Sequence, residues 1–252
     1  MMEPSRQPIA HENFALAFFR QSILKRNDEL FGSEIYAKAT QQEIPLNKGY
    51  QLLHLDHPLA IYREVLMRIQ LNALSQMETL PSPSAHLPNK LFMTMDQSAL
   101  LDKMFIKELN DAQVILSKHE QQLIPCINSS SFLSFNLKEK RTIINHIHLL
   151  KDNGIEIAFD GYDLSDDSTA KLISPMLFDY IKVDLTKSNF DIMVDNNQDF
   201  FNRSYDRLSG MIHDSKIKFV ADRVEHKALH TLARSMPFDF FQGRYYSPTE
   251  LI

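Results

Sequence analysis

The segment from residue 157 to 168 concentrates carboxylates directly after a run of β-favouring residues. It reads IAFDGYDLSDDS, with Asp160 ending the apolar run and Asp163, Asp166 and Asp167 following closely. Carboxylate oxygens are the donors that hard divalent cations prefer, so one interpretation is a metal centre. The other interpretation is a group of solvated or helix-capping aspartates, because short polar side chains favour turns and N-caps.

Polar side chains also stand near the ends of the other predicted strands. Lys182 and Asp184 in YIKVDL are two residues apart, so both point to one face of their strand. Carboxylates, a lysine and an amide on one rim could hold divalent cations and a phosphate ester. Solvated or paired charges are the commoner use of such positions. These strand-end residues are Glu34, Thr94, Asn128, Asp160, Lys182, Asp184, Asp222, Glu225 and Gln242.

The elements that must position these side chains alternate between strand and helix. Residues 14–23 and 29–39 flank a charged turn and predict a β-hairpin. Apolar residues at helical spacing predict an amphipathic helix over 58–77, and a helix over 96–109 is expected to begin with Asp96 or Ser98 as its cap. Later strands, expected over 90–95, 122–127, 155–160, 179–185 and 216–222, are separated by helices. This alternation predicts a largely parallel sheet closed into a β/α barrel, whose working groups lie at one mouth.

The composition is that of a globular protein, with 44% hydrophobic and 23% charged residues. A net charge of -5 provides no basic field for nucleic acid, which is not an expected partner. The single cysteine, Cys126, excludes an intramolecular disulfide, indicates a reducing compartment and is expected to be buried. Neither a signal peptide nor a membrane span is recognisable, so we expect a cytoplasmic protein without membrane contacts.

Several segments resemble, in the correct order, the motifs of EAL domains, the bacterial cyclic di-GMP phosphodiesterases. GSEIYAK, which follows FFRQSI, resembles the EAL signature with its trailing arginine. IAFDGYDLSDDS is similar to ALDDFGTGYSSL, DYIKVD to DYIKID, VADRVEH to IAEGVET, and FDFFQGRYYSPT to DYxQGYYFSxP. The resemblance implies an α/β fold with a single (β/α)8 TIM-like barrel of the EAL type and an N-terminal β-hairpin. The barrel domain is expected over residues 14–252, after a polar leader of residues 1–13.

The resemblance also implies a two-metal site, which this sequence retains only in part. The glutamate of EAL is Glu34, the first aspartate of DDFG is Asp160, and the lysine that helps to activate water is Lys182. The residues expected to line a dinucleotide pocket are Gln21, Glu34, Lys38, Asp160, Lys182, Asp184, Glu225 and Gln242.

Other positions of the motifs have changed. Four positions carry a different residue: Thr94 replaces the asparagine of VNxS, Gly161 replaces the second aspartate of DDFG, Asp222 replaces the glutamate of AEGVE, and Lys38 replaces the arginine after EAL. The glutamate of LEITE falls on Pro125 or Cys126, depending on a one-residue choice of register. Two cations need several oxygen donors together, so we assign no catalytic residue and no metal ligand. Asp160 then marks a former metal position, and the aspartates after it are expected to be solvated or capping residues.

Three functions are consistent with these residues. The first is a non-catalytic regulatory protein of cyclic di-GMP signalling that binds another protein, as degenerate EAL domains do in motility or biofilm control. The second is a receptor that binds cyclic di-GMP without cleaving it. The third is a phosphodiesterase with unusual ligands, and only this one requires Mg²⁺ or Mn²⁺ as a cofactor. A second copy of the chain is a further candidate partner, although the rewritten loop after Asp160 argues against the usual dimer.

Overall fold

The computed structural model describes residues 14–41, 89–95, 97–128, 135–166, 177–187 and 190–251. The helix predicted over 58–77 and the leader of residues 1–13 lie outside these ranges. Within them, most of the predicted strands and helices are present, with the changes of boundary described below.

Nine strands form one sheet in the described part of the chain, and eight of them close into a barrel. The strands β2 to β8 pair in chain order and run parallel. β1 is antiparallel to both β2 and β8, so the predicted hairpin closes the ring, and the short β9 is added to β1. The predicted barrel is thus confirmed. The strands are β1 Phe14–Lys25, β2 Leu30–Gln41, β3 Lys90–Met95, β4 Gln122–Asn128, β5 Ala158–Tyr162, β6 Tyr180–Asp184, β7 Lys218–Asp222, β8 Phe240–Gln242 and β9 Glu250–Leu251.

Helices return the chain between the parallel strands, as such crossovers require. Among the described helices, none is long and apolar enough to cross a membrane. They are a 3₁₀ helix Gln97–Leu101 and the α-helices α1 Lys103–Ser117, α2 Leu137–Asp152, α3 Phe190–Asn196, α4 Gln198–Asp214 and α5 Lys227–Ser235.

Local sequence explains where α2 begins and ends. The Asn136 side chain accepts hydrogen bonds from the backbone of Lys138 and Glu139, and the Glu139 carboxylate accepts one from the Asn136 backbone. This reciprocal capping box satisfies N–H groups that the first helical turn leaves without partners. Gly154, with φ of 78°, takes the left-handed conformation just after the helix, which glycine adopts without a steric cost.

The cap predicted for the preceding helix was wrong. Residues 97–101 form a 3₁₀ helix, and α1 starts only after Asp102, whose carboxylate accepts a hydrogen bond from the Met104 backbone at 2.8 Å. Ala99 and Leu100 are buried in the core, so the short helix is held by packing while Asp102 caps the longer one.

The core has two layers because alternate residues of each strand face opposite sides. In β6, Ile181 and Val183 pack toward the helices, whereas Tyr180 faces the inside of the barrel. The inner layer is apolar in its lower part, where it contains Ile23, Phe92, Ile124, Cys126, Ala158, Tyr180, Val220 and Phe240. Above it, toward the carboxyl ends of the parallel strands, the inward residues become polar.

Candidate functional site

A lysine lies at the centre of this polar layer, surrounded by three carboxylates. Lys182 Nζ is 2.9 Å from Glu34 Oε2, 3.6 Å from Asp222 Oδ2 and 3.8 Å from Asp160 Oδ1. Its side chain is only 1% exposed. We call Glu34, Asp160, Lys182 and Asp222 the mouth cluster. Its members come from β2, β5, β6 and β7, strands far apart in sequence that the barrel brings together.

The charge of Lys182 is held by its surroundings. Burial acts to lower the pKa of Lys182, but the carboxylates of Asp222, Glu34 and Asp160 outweigh it and raise that pKa well above the ordinary lysine value. The ammonium therefore remains protonated at neutral pH and acts as the internal counter-ion of the mouth cluster.

Both carboxylate oxygens of Glu34 are engaged within the barrel. Oε1 accepts a hydrogen bond from the Thr94 hydroxyl at 2.7 Å, and Oε2 accepts one from Gln242 Nε2 at 2.6 Å in addition to the Lys182 ammonium. Gln242 Nε2 also lies 3.3 Å from Gln21 Oε1. Burial acts to raise the pKa of Glu34, but Lys182 and these hydrogen bonds hold that pKa below its ordinary value.

The other two carboxylates of the mouth cluster are less well compensated. Burial raises the pKa of Asp160, and Lys182 opposes this only in part. Burial likewise raises the pKa of Asp222, to about 7, with the nearby Glu34 and Asp160 adding to the effect. Excess negative charge in a largely buried site therefore favours retention of a proton at these aspartates.

Cys126 faces the inside of the barrel, which settles the choice of register left open by the sequence. It pairs with Thr94 across β3 and β4 and packs with Ile124 in the inner layer, so Cys126 rather than Pro125 occupies the inward position. The predicted burial of this residue is confirmed. Burial raises the pKa of the Cys126 thiol well above its ordinary value, with Lys182 opposing in part, so it offers no thiolate at neutral pH.

Asp184 organises two cations that sequence analysis did not single out. Its Oδ1 accepts hydrogen bonds from the Thr186 backbone and hydroxyl, at 3.0 and 2.7 Å, and from the Lys187 backbone at 3.1 Å. Its Oδ2 lies 3.3 Å from Arg223 Nε. Arg223 has a φ of 57°, in the left-handed region that favours glycine, and it stands at the glycine of the IAEGVET-like motif. That substitution was the sequence signal for this residue.

The remaining predicted residues are Glu225, Lys38 and the aspartates of the loop after Asp160. Glu225 forms an ion pair with Arg244 instead of joining the mouth cluster. Lys38 pairs through its backbone with Ala17 in β1, and its side chain is outside the described part of the structure. Asp163 accepts hydrogen bonds from the backbone and hydroxyl of Ser165, which forms a turn within the loop. The helix that the loop aspartates were expected to cap would follow in residues outside the described part of the structure.

The chemistry available at the mouth is that of a compact ion-pair network. Among the residues that the structure describes, no group of three or more His, Cys, Asp or Glu side chains is arranged to hold a metal ion. The oxygens of Glu34 serve hydrogen bonds and an ion pair, while Arg223 and Lys187 lie outside the buried carboxylates. Such an arrangement can bind an anionic ligand through cations and amides.

Comparison with known proteins identifies relatives of this fold. Residues 5–249 match the family model described as the EAL domain. Among curated proteins, none matches the sequence significantly.

Solved structures share the fold at low sequence identity. The FimX EAL domain of Xanthomonas citri, in complex with c-diGMP, is 12% identical, with a TM-score of 0.67 over 94% of this chain and 88% of that chain. The Bacillus subtilis YKUI protein, in complex with substrate c-di-GMP and calcium, is 16% identical, with a TM-score of 0.69 over 94% of this chain and 55% of that chain. The FimX EAL domain of Pseudomonas aeruginosa, bound to c-di-GMP, is 14% identical, with a TM-score of 0.64 over 93% and 90% of the two chains.

Proposed function

Since the chain belongs to the EAL domain family, we propose that it is a non-catalytic regulatory domain of cyclic di-GMP signalling. Its output is contact with another protein, of the kind that controls motility or biofilm formation, and it acts in the cytoplasm. It uses no metal cofactor.

The contacts of the Glu34 carboxylate are the observation that best supports a lack of catalysis. One of its oxygens accepts from Thr94 and the other from Lys182 and Gln242, so a cation at Glu34 would compete with this network for both oxygens. Each divalent ion of a two-metal site is stabilised only when several oxygens replace its hydration shell. These donors do not fit a pair of such ions.

The neighbouring positions support the same conclusion. Cys126 presents a protonated thiol to the inside of the barrel, and Gly161 has no side-chain donor. Lys182 is surrounded by three carboxylates that raise its pKa, so the ammonium is protonated at neutral pH and cannot accept a proton from water.

The test of this proposal is direct incubation of the purified full chain with cyclic di-GMP in the presence of Mg²⁺ or Mn²⁺. Chromatography should recover the nucleotide intact, while an active EAL phosphodiesterase assayed in parallel gives the linear product. Linear product that accumulates in proportion to the concentration of this chain would instead establish the phosphodiesterase with unusual ligands.

Exposed apolar side chains on α3 and α4 support protein contact as the output. Ile192 is 56% exposed and Tyr205 41% exposed, and both belong to helices that also border a cavity of about 190 Å³. The cavity has a mixed lining, in which apolar residues such as Phe200 lie beside the charged Arg203 and Arg207. Apolar surface beside charged groups is typical of protein-binding sites.

This surface can be tested with a double variant, Ile192→Lys with Tyr205→Ser. A partner captured by the wild-type chain, then purified and titrated, should lose most of its affinity for this variant. Val114→Lys, at an exposed apolar position on α1, is the matched control and should bind as the wild type does. Equal affinity of the double variant would exclude α3 and α4 as the contact surface.

A receptor that binds cyclic di-GMP without cleavage is the second candidate, and one observation favours it. Gln242 is 1% exposed, and its Oε1 has no hydrogen-bond partner among the described residues. A buried acceptor without a partner is costly, and a ligand donor at the mouth would relieve that cost. Calorimetry with cyclic di-GMP separates the two candidates, because only the receptor gives a saturable heat of binding.

A further inference from the structure

We propose that Arg223 and Lys187 form a phosphate-recognition pair that binds a phosphodiester at the barrel mouth without any divalent cation. The inference rests on the receptor form of the proposed function. Both residues are absent from the expected set of site residues, and neither belongs to the mouth cluster.

A single buried carboxylate positions both cations. Asp184 is 2% exposed, and its two oxygens serve different partners. Oδ1 holds the turn after β6 that carries Lys187, and Oδ2 holds the Arg223 guanidinium at the end of β7. Because Asp184 and Asp222 pair across β6 and β7, the two turns that present the cations are neighbours.

The backbone of Arg223 is fixed as well as its side chain. Its N–H donates to Asp222 Oδ1 at 2.9 Å, which ties the left-handed residue to the mouth cluster. Its side chain is 60% exposed, and Nε is its atom paired with Asp184. Among the described residues no partner occupies its two terminal amino groups, which remain available to an anion in the bidentate geometry that suits phosphate.

Lys187 completes the pair from the other side of Asp184. Its Nζ lies 3.4 Å from the carbonyl oxygen of Gly161, at the end of β5, while the residue itself is exposed. The ammonium thus stands between the turns after β5 and β6, and a carbonyl oxygen satisfies only one of its three donors.

The order of charges makes the mouth suitable for an anion. The carboxylates of Asp160, Asp184 and Asp222 are largely buried, whereas the side chains of Arg223 and Lys187 are exposed. A phosphate that approaches from solvent therefore meets fixed cations before it meets the carboxylates beneath them. In this way the chain supplies from its own side chains the positive layer that a phosphodiester requires, and no cation has to be recruited.

The decisive variants are Arg223→Gly and Lys187→Met, titrated with cyclic di-GMP by calorimetry in EDTA. Glycine adopts a φ of 57° without strain, so Arg223→Gly removes the guanidinium while the backbone is retained. Loss of a charge-assisted hydrogen bond should weaken binding by about ten- to one-hundred-fold for each variant. The wild type should bind equally well in EDTA and in Mg²⁺.

Arg141→Met and Lys138→Met, at exposed positions of α2, remove the same charges from an element outside the turns that carry Arg223 and Lys187, and should leave the affinity unchanged. Wild-type affinity in Arg223→Gly, or loss of wild-type binding in EDTA, would overturn the proposed pair while leaving the lack of catalysis intact. Cleavage of the nucleotide would contradict the lack of catalysis instead. A wild type that gives no heat with cyclic di-GMP would remove both the pair and the receptor, and would leave protein contact as the function.

Discussion

The two ends of the barrel are closed by different chemistry. At the mouth, Lys182 and its three carboxylates are nearly excluded from water. At the opposite end, where the parallel strands begin, aromatic rings close the barrel and the charges lie toward the surface. Phe31 and Phe240 stack there with ring centres 3.7 Å apart, and the Phe31 ring lies 5.9 Å from that of Tyr180. We call Phe31, Tyr180 and Phe240 the basal plug.

The charges around the basal plug include a lysine that pairs with a carboxylate. The Lys90 ammonium lies 5.7 Å from the centre of the Phe31 ring and 5.6 Å from that of Tyr180, and it pairs with Glu156. Glu156 in turn accepts a hydrogen bond from the Tyr180 hydroxyl at 3.0 Å. Cation–π contacts and a partly exposed ion pair add modestly to the stability that ring burial provides.

This contrast indicates which end serves stability and which serves function. A basal plug of rings gains from burial, whereas the mouth buries more carboxylates than Lys182 can neutralise, which opposes folding. Residues kept at such a cost are candidates for function. In β/α barrels generally, the end at which the strands finish carries the site.

The largest expected effect comes from replacing the central lysine. Lys182→Met leaves three buried carboxylates without their counter-ion, and breaking a buried ion pair in this way costs about 3 to 5 kcal/mol. Lys90→Met, the matched change at the basal plug, should cost about 1 kcal/mol, because its ion pair is partly exposed. Urea unfolding of both variants measures the difference. Equal losses in the free energy of unfolding would contradict the proposed difference between the two ends.

Removing an aromatic ring from the basal plug should give the next largest loss of stability. Phe31 is partly buried, so Phe31→Ala should lower the free energy of unfolding by about 2 kcal/mol through lost apolar burial. Binding of any ligand at the mouth should be unchanged in calorimetry at a temperature where the variant is folded. A change in ligand affinity as large as that of Arg223→Gly would mean that the two ends are coupled.

The stability of the protein should depend on pH through the titration of Asp222 at the mouth. Burial raises the pKa of Asp222 to about 7, above the unfolded value of about 4, so the folded state binds the extra proton between these limits. This stabilising contribution is complete below about pH 4 and is lost as the pH rises through about 7. Asp222→Asn should remove this pH dependence. The free energy of unfolding of the wild type should therefore fall relative to that of the variant as the pH rises from about 4 to about 7. Parallel unfolding curves at every pH would exclude Asp222 as the titrating group.

The smallest expected effect is that of Arg223→Gly on stability. Relief of a left-handed residue gains about 1 kcal/mol, and loss of the ion pair with Asp184 costs a similar amount. The free energy of unfolding should therefore stay within about 1 kcal/mol of the wild type. A loss of several kcal/mol would make Arg223 a structural counter-ion of the buried mouth.

The regular elements of the fold, and some of the residues at which they end, could be predicted from the sequence. The alternation of strands and helices, the N-terminal hairpin and the stop at Gly154 follow from local pattern and backbone preference. The cap of α1 could not be chosen correctly, because Asp96, Ser98 and Asp102 are all suitable residues and packing of Ala99 and Leu100 decided among them.

The candidate site divides in the same way. Motif order assigned Glu34, Asp160, Lys182, Asp184 and Gln242 to one mouth, because side chains two apart on a strand share a face and parallel strands end together. Sequence also identified the residue types that had changed, including Thr94 and Gly161.

Only the tertiary structure decided which partner each of these groups has. The inward position of Cys126, the engagement of both Glu34 oxygens and the placement of Arg223 and Lys187 by Asp184 depend on contacts between strands that lie far apart in the chain. A sequence specifies donors, acceptors and charges, but hydrogen bonds and ion pairs depend on distances of a few ångströms, which are set only when the barrel closes.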